Sequence, residues 1–214
     1  MNYFNKDNHI IDLVKSKKIL HLGCVGFADL ETSDRVKLAK DSLHFRLTEI
    51  ADTKGIDYSS EAIRYYQENN IFNNVLFGDV EKLDDVNIED TFDVIVAGDI
   101  LEHLSNPGLM LEGIKKFCKN HTDIIITTPH SFGLMNFIRF IFGKFVEGNE
   151  HVMTFNVQNI FNLLKRYEFT VISMDTCYQK NATRKTLFPL GRLFFKLFPK
   201  LGGTLFIVAR LTRT

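Results

Sequence analysis

Hydrophobic positions along the chain fall into short strand-like runs separated by stretches of mixed or helical period. The run at 18–22 is apolar and ends in Gly23. Later runs at 55–58, 75–77 and 92–97 end at or beside Asp57, Gly78-Asp79 and Asp99. The last of these is nearly all apolar, as expected of a strand buried on both faces. A fifth run lies at 123–127, with two more at 169–174 and 204–209. Between them, 9–14 and 42–51 read as helices, the second carrying Leu43, Phe45, Leu47 and Ile50 among polar residues. Ser59 and Ser60 can cap the next helix, with Glu61 in its first turn. Asn106-Pro107 supplies an N-cap and first-turn proline before Met110, Ile114 and Phe117 at helical spacing. The aromatic stretch 132–145 and the segment 156–167, with Ile160, Phe161, Leu163 and Leu164 inward, also read as helical. Strands alternating with helices predict an α/β fold. The expected form is a Rossmann-like, doubly wound, mostly parallel seven-stranded sheet with helices on both faces. An aromatic and basic elaboration occupies its C-terminal half.

With 214 residues the chain suits one domain over 1–214, able to bury a core without disulfides. A polar flap is expected at 28–40, and lid or acceptor-site elaborations at 132–150 and 180–201. Twenty-six basic residues balance 26 acidic ones, so nothing global points to nucleic acid. Cys24, Cys118 and Cys177 are scattered and odd in number, which reads as a reduced, cytoplasmic protein without a zinc knuckle. The first residues lack the basic start and apolar core of a signal peptide. No run approaches the roughly 18 apolar residues of a membrane span. The segment 180–200 nevertheless mixes basic residues with Leu and Phe and has no acidic residue. A packed elaboration between the last two strands is the preferred reading. Peripheral contact with the inner face of a membrane is the alternative.

In a parallel α/β sheet, ligands bind at the carboxyl ends of the strands. A glycine and three acidic positions at four successive ends therefore suggest one pocket for a nucleoside-like ligand. Gly23 lets backbone approach that ligand closely. Asp57 can accept both hydroxyls of a ribose, and Asp79 can accept from an adenine amine. Asp99 and His103 would share a face if the chain turns helical after the fourth strand. His103 is then a candidate general base. "GCVGFA" offers only Gly23 and Gly26, so the dinucleotide fingerprint is absent. That argues against a nicotinamide-dependent oxidoreductase.

In this order, the motifs resemble those of class I S-adenosylmethionine-dependent methyltransferases of the small-molecule group with an "LEH" motif. "ILHLGCVGF" resembles motif I, "GIDYSSEAI" the ribose motif, "FGDVEKL" the adenine motif and "FDVIVAGDILEHLSNP" the motif at the sulfonium and acceptor. "TTPHSFG" and "HVMTFNVQNIFNLLKRYEF" resemble the later segments. The resemblance implies S-adenosylmethionine as cofactor and S-adenosylhomocysteine as product. It implies Gly23, Cys24, Asp57, Tyr58, Gly78, Asp79, Val80, Asp99 and Ile100 as cofactor-lining residues. The base for a hydroxyl acceptor would be His103, then His151, then His130, which stands where the family often has asparagine. No metal is expected; Asp99, Glu102 and His103 are the candidates for magnesium, by likeness to the ubiquinone-pathway O-methyltransferases. The chain departs from the pattern at His21, usually acidic, and at Val25, usually glycine. Gly23 and Asp57 are also 34 positions apart, longer than usual. The implied acceptor is a small molecule taking the methyl on oxygen, or less readily nitrogen, with surface-glycan or nucleotide-sugar precursors first. Alternatives are a lipid or ubiquinone-type acceptor, the oxidoreductase, and a non-catalytic S-adenosylmethionine-binding protein.

Overall fold

The computed structural model describes residues 1–26, 37, 39–144, 148, 150–178 and 188–212, with residues 188–190 and 192 described by backbone alone. Most of the expected flap at 28–40 therefore lies outside the described residues, as do parts of the two expected lids.

The chain opens with a short strand β1 (Tyr3–Asn5) and helix α1 (Lys6–Val14), whose N-cap Asn5 accepts from the Asn8 amide. Next come β2 (Lys18–Leu22), α2 (Leu43–Thr48), β3 (Asp52–Asp57), α3 (Ser60–Glu68) and β4 (Val75–Phe77). After β5 (Phe92–Gly98) come α4 (Pro107–Gly113) and β6 (Cys118–Pro129). The second half runs α5 (Leu134–Ile141), α6 (Val157–Arg166), β7 (Phe169–Tyr178), α7 (Phe188–Leu197) and β8 (Thr204–Leu211). These form one eight-stranded sheet in the order β1-β7-β8-β6-β5-β2-β3-β4. Only β8 is reversed, pairing antiparallel with both β6 and β7. The fold class is the expected one, with one strand more than the seven foreseen. The extra strand, Tyr3–Asn5, adds to the edge of β7 through the register Tyr3↔Thr176. Three residues carry too little alternation to reveal a strand in sequence.

The apolar character of β5 is explained by its two packed faces. Ile95 and Ala97 join a core with Met110 and Leu111 of α4 and Ile160 and Leu164 of α6. Val94 and Val96 join the opposite core with Ile10 and Val14 of α1 and Leu47 of α2. A third cluster sets Ala62, Ile63 and Tyr66 of α3 against Val75 and Phe72 beyond β3. The cap foreseen at Asn106 forms, accepting from the Gly108 amide, and Asn156, for which no cap was foreseen, accepts from the Gln158 and Asn159 amides. Ser59 takes the N-cap position of α3 but makes no side-chain cap bond.

Chain direction sets the switch point. From β2 the chain adds β3 and β4 on one side, then returns to add β5 and β6 on the other. The crevice between the carboxyl ends of β2 and β5 is where an open α/β sheet accommodates a ligand.

Candidate active site

Gly23 leaves β2 with φ +64°, a left-handed conformation that glycine adopts without steric cost. Its amide donates to the Ile56 carbonyl at 2.9 Å. A Cβ there would lie 2.5 Å from Cδ1 of Ile100, the residue after Asp99. Bare backbone at Gly23 thus lets the turns after β2 and β5 meet across the switch point.

Asp57 ends β3, 8 % exposed. Its Oδ2 accepts from the Val25 amide at 2.8 Å and its Oδ1 from the Ser59 amide at 3.0 Å. One carboxylate therefore closes the loop after β2 and starts α3. Each oxygen retains a lone pair, so a pair of vicinal hydroxyls can still be accepted. Cys24 between them is buried, and burial raises its thiol pKa well above the usual range, leaving it a neutral packing group.

At the next strand end, the Gly78 amide donates to the Asp57 carbonyl at 2.9 Å, carrying the β3–β4 ladder one step further. A Cβ on Gly78 would meet Val86 Cγ2 at 2.6 Å. Asp79 caps the 3-10 turn Val80–Asp85 by accepting from the Glu81 amide, and its other oxygen faces Lys82 at 3.7 Å. Val80 is buried beneath it. Tyr58 and Phe77, beside these two aspartates, are 79 % and 64 % exposed. Two large uncovered rings at adjacent strand ends offer apolar surface for a planar base.

After β5 the expected helical turn does not form at Asp99. Its φ is +50°, and only Leu101–His103 make a 3-10 turn. Asp99 and His103 therefore do not share a helical face. The Asp99 amide donates to the Thr127 carbonyl at 2.8 Å, the Thr127 hydroxyl donates to Oδ1 at 2.8 Å, and Lys6 Nζ donates to Oδ2. Lys6 is buried; burial opposes its charge, but Asp99 outweighs this and raises its pKa. Glu102 turns the other way. It is 1 % exposed, accepts from the Thr128 hydroxyl at 3.0 Å, and burial pushes its carboxyl up to about 7. Thr127 and Thr128 are consecutive strand residues and point to opposite faces. They thus hold the two acids of "DILEH" on opposite sides of the sheet.

The structure brings His103 and His151 together, with ring centroids 4.7 Å apart in an edge-to-face pair. His103 Nδ1 also lies 4.0 Å from Glu150. The contact follows from backbone: the amides of Val152 and Met153 donate to the Glu102 carbonyl at 2.9 and 3.1 Å. Donor atoms of Glu102, His103 and His151 all lie within 4.8 Å of one another. Of the two acids in "DILEH", the one near both histidines is thus Glu102, while Asp99 is committed to Lys6 and Thr127. His130 is placed apart. It is buried, its Nδ1 is 3.1 Å from the Gly202 carbonyl, and burial lowers its pKa, so it packs as a neutral donor beneath the turn into α5.

A family model described as a methyltransferase domain matches residues 13–182. The chain belongs to this methyltransferase family. Solved structures agree at the level of the fold. A SAM-dependent methyltransferase from Archaeoglobus fulgidus is 16 % identical with TM-score 0.59, covering 94 % of this chain and 90 % of that one. The magnesium protoporphyrin IX methyltransferase of Synechocystis PCC 6803, solved with bound S-adenosylhomocysteine, is 12 % identical with TM-score 0.60, covering 96 % and 82 %. The [4+2]-cyclase SpnF is 14 % identical with TM-score 0.57, covering 97 % and 81 %, so the fold by itself does not fix the reaction. No curated protein matches the sequence significantly.

Two features of this methyltransferase chain were missed in the sequence. Lys6 carries no motif; only the fold brings the start of α1 under Asp99. His21 stands out as a departure from the family's acidic residue, but its partner could not be named. The partner is His44 of α2, with Nδ1 to Nδ1 at 3.3 Å and His44 Nε2 3.4 Å from Asn74 Oδ1. Burial lowers both imidazoles, His44 to about 4, so the pair is neutral and substitutes a hydrogen bond for the missing charge.

Proposed function

We propose that the chain is an S-adenosylmethionine-dependent methyltransferase acting on an oxygen of a small-molecule acceptor, with nitrogen as the less favoured atom. The observation that carries this reading is the Asp57 carboxylate. It is fixed at the end of β3 by two backbone amides, one of them in the loop that follows Gly23. These residues fit the cofactor. Asp57 would hold the ribose, and Asp79 would accept from the adenine amine between Tyr58 and Phe77. Gly23 with Cys24 would lie under the methionine part, while Gly78, Val80, Asp99 and Ile100 complete the walls. When bound, the cofactor supplies a methyl already activated on a sulfonium, so the chain's own residues mainly position and desolvate. Lys6 and Thr127 hold the Asp99 side chain in place at the crevice. His103, partly exposed and steadied by His151, removes the proton of a hydroxyl acceptor. His151 is the second candidate for that role, and His130 the third because of its burial. Among the described residues, Glu102, His103 and His151 lie close enough together to share a metal ion, and the metal-free reading is the one we propose.

For the acceptor, surface-glycan or nucleotide-sugar precursors remain the first class proposed. A lipid-type acceptor is the second, favoured by the exposed apolar residues of α5 and α7. Activity is tested by following S-adenosylhomocysteine release while hydroxylated metabolite fractions are supplied as acceptors. His103→Ala should lower kcat at neutral pH by about a hundredfold while leaving S-adenosylhomocysteine affinity intact. Unchanged turnover in that variant would remove His103 from the role.

A further inference from the structure

We propose that α5 and α7 form a docking surface for an anionic lipid bilayer, setting the carboxyl end of the sheet against the membrane. Helix α5 buries none of its residues, although six of its eight are Leu, Met, Phe or Ile. An eight-residue helix is marginal in water without a surface to pack on. Phe137, Ile138, Phe140 and Ile141 are exposed, and Phe132 and Phe142 flank them. Leu193, Phe194, Leu197 and Phe198 are likewise exposed at the end of α7. Exposed apolar side chains gathered in this number on two short segments mark an interaction site.

Both helices leave the sheet at one junction. Pro129 of β6 pairs with Thr204 of β8. The His130 amide donates to the Gly203 carbonyl at 2.9 Å, and a Cβ on Gly133 would touch Gly202 and Gly203 at 2.9 Å. That junction is at the same end of the sheet as Asp57, Asp79 and Asp99, because β6 runs parallel to β5. The surface thus flanks the candidate site.

Charge selects the occupant. Segment 131–144 carries Arg139 and Lys144, segment 193–203 carries Lys196 and Lys200, and neither contains an acidic residue. Indeed no acidic residue follows Asp175 in the chain. A second copy seated on this surface would place like charges together, whereas an anionic headgroup layer neutralises them while the rings enter the interface. No helix among the described residues is long and apolar enough to cross a membrane, so the contact is with one leaflet.

The chain contains no tryptophan, which makes Phe140→Trp a clean reporter. Its emission should shift to the blue with phosphatidylcholine vesicles containing phosphatidylglycerol, far less with phosphatidylcholine alone, and return in high salt. In flotation assays, wild-type protein should rise with the anionic vesicles. Phe137→Glu with Phe140→Glu, and Lys196→Glu with Lys200→Glu, should each lower partitioning by about tenfold or more. Their melting temperatures should stay near wild type, since these side chains are exposed. The proposal is overturned if wild type stays with the soluble fraction, or if either double variant partitions like wild type. It is also overturned if sedimentation equilibrium shows a dimer that the Phe137/Phe140 variant dissolves while vesicles bind neither form.

Discussion

At Asp57 one carboxylate joins two loops and keeps one lone pair on each oxygen. Replacing it with alanine orphans the Val25 and Ser59 amides. Asp57→Ala should therefore cost about 2–3 kcal/mol of stability, read by denaturant unfolding, besides removing the proposed ribose acceptor. Lys6 and Asp99 make a comparable pair. Lys6→Met leaves Asp99 without its cation, and a loss of about 1–3 kcal/mol is expected because Asp99 remains partly exposed. An unchanged unfolding midpoint would show that the pair contributes nothing.

Glu102 gives a pH signature. Its folded-state pKa, about 7, lies above the ordinary value of 4.5. The neutral carboxyl is thus the form that folding favours. Its contribution is complete below pH 4.5 and is lost as pH rises through about 7, by up to about 3 kcal/mol. Glu102→Gln cannot ionise and still accepts from Thr128. It should match wild type in thermal melts at acid pH and melt higher above pH 8. Parallel melting curves at every pH would contradict the shift. At this scale the sequence was informative about position where a motif sits at a strand end, as for Asp57 and Asp79. It was silent where a side chain acts by tertiary placement, as with Lys6, His44, Thr127 and Thr128.

Among the elements, strands were legible because their apolar runs are buried on one or both faces, and β2 and β4 match the expected ranges residue for residue. Boundaries moved where pairing continues beyond the apolar stretch. β6 begins at Cys118 rather than 123 because Phe92↔Cys118 pairing crosses the polar residues 119–121. β7 extends to Tyr178 because β1 pairs with its end. The helix after "AGD" did not form because Asp99 takes a left-handed turn to reach Thr127, a constraint that exists only once β6 is in place. Helix α6 rests on a reciprocal cap, Asn156 accepting from the Asn159 amide and the Asn159 side chain accepting from the Asn156 amide at 2.7 Å. Asn156→Ala should lower stability by about 1 kcal/mol, with Asn156→Ser retaining most of it. Equal midpoints for the alanine and serine variants would show the cap to be idle.

For the whole molecule, the order of the strands explains why residues far apart in sequence meet. β2, β3, β4 and β5 all end at one edge, and the reversal between β2 and β5 opens the crevice there. The same edge carries α5 and α7, so the strand-end crevice and the apolar, basic surface belong to one end of the fold. The likenesses to solved structures, all of low identity, establish that architecture and leave the chemistry to the residues at the strand ends. The departures at His21 and Val25 fit within it: a neutral histidine pair fills the space behind the loop, and the Val25 amide still reaches Asp57.

The assignment rests on the strand-end crevice binding an S-adenosyl nucleoside. The direct measurement is calorimetric titration of S-adenosylhomocysteine into wild type and into Asp57→Asn, with NAD titrated in parallel. Expected are saturable binding to wild type, at least about a hundredfold weaker binding to the variant, and no heat from NAD. Equal affinities in the two proteins, or binding of NAD with none of S-adenosylhomocysteine, would contradict it.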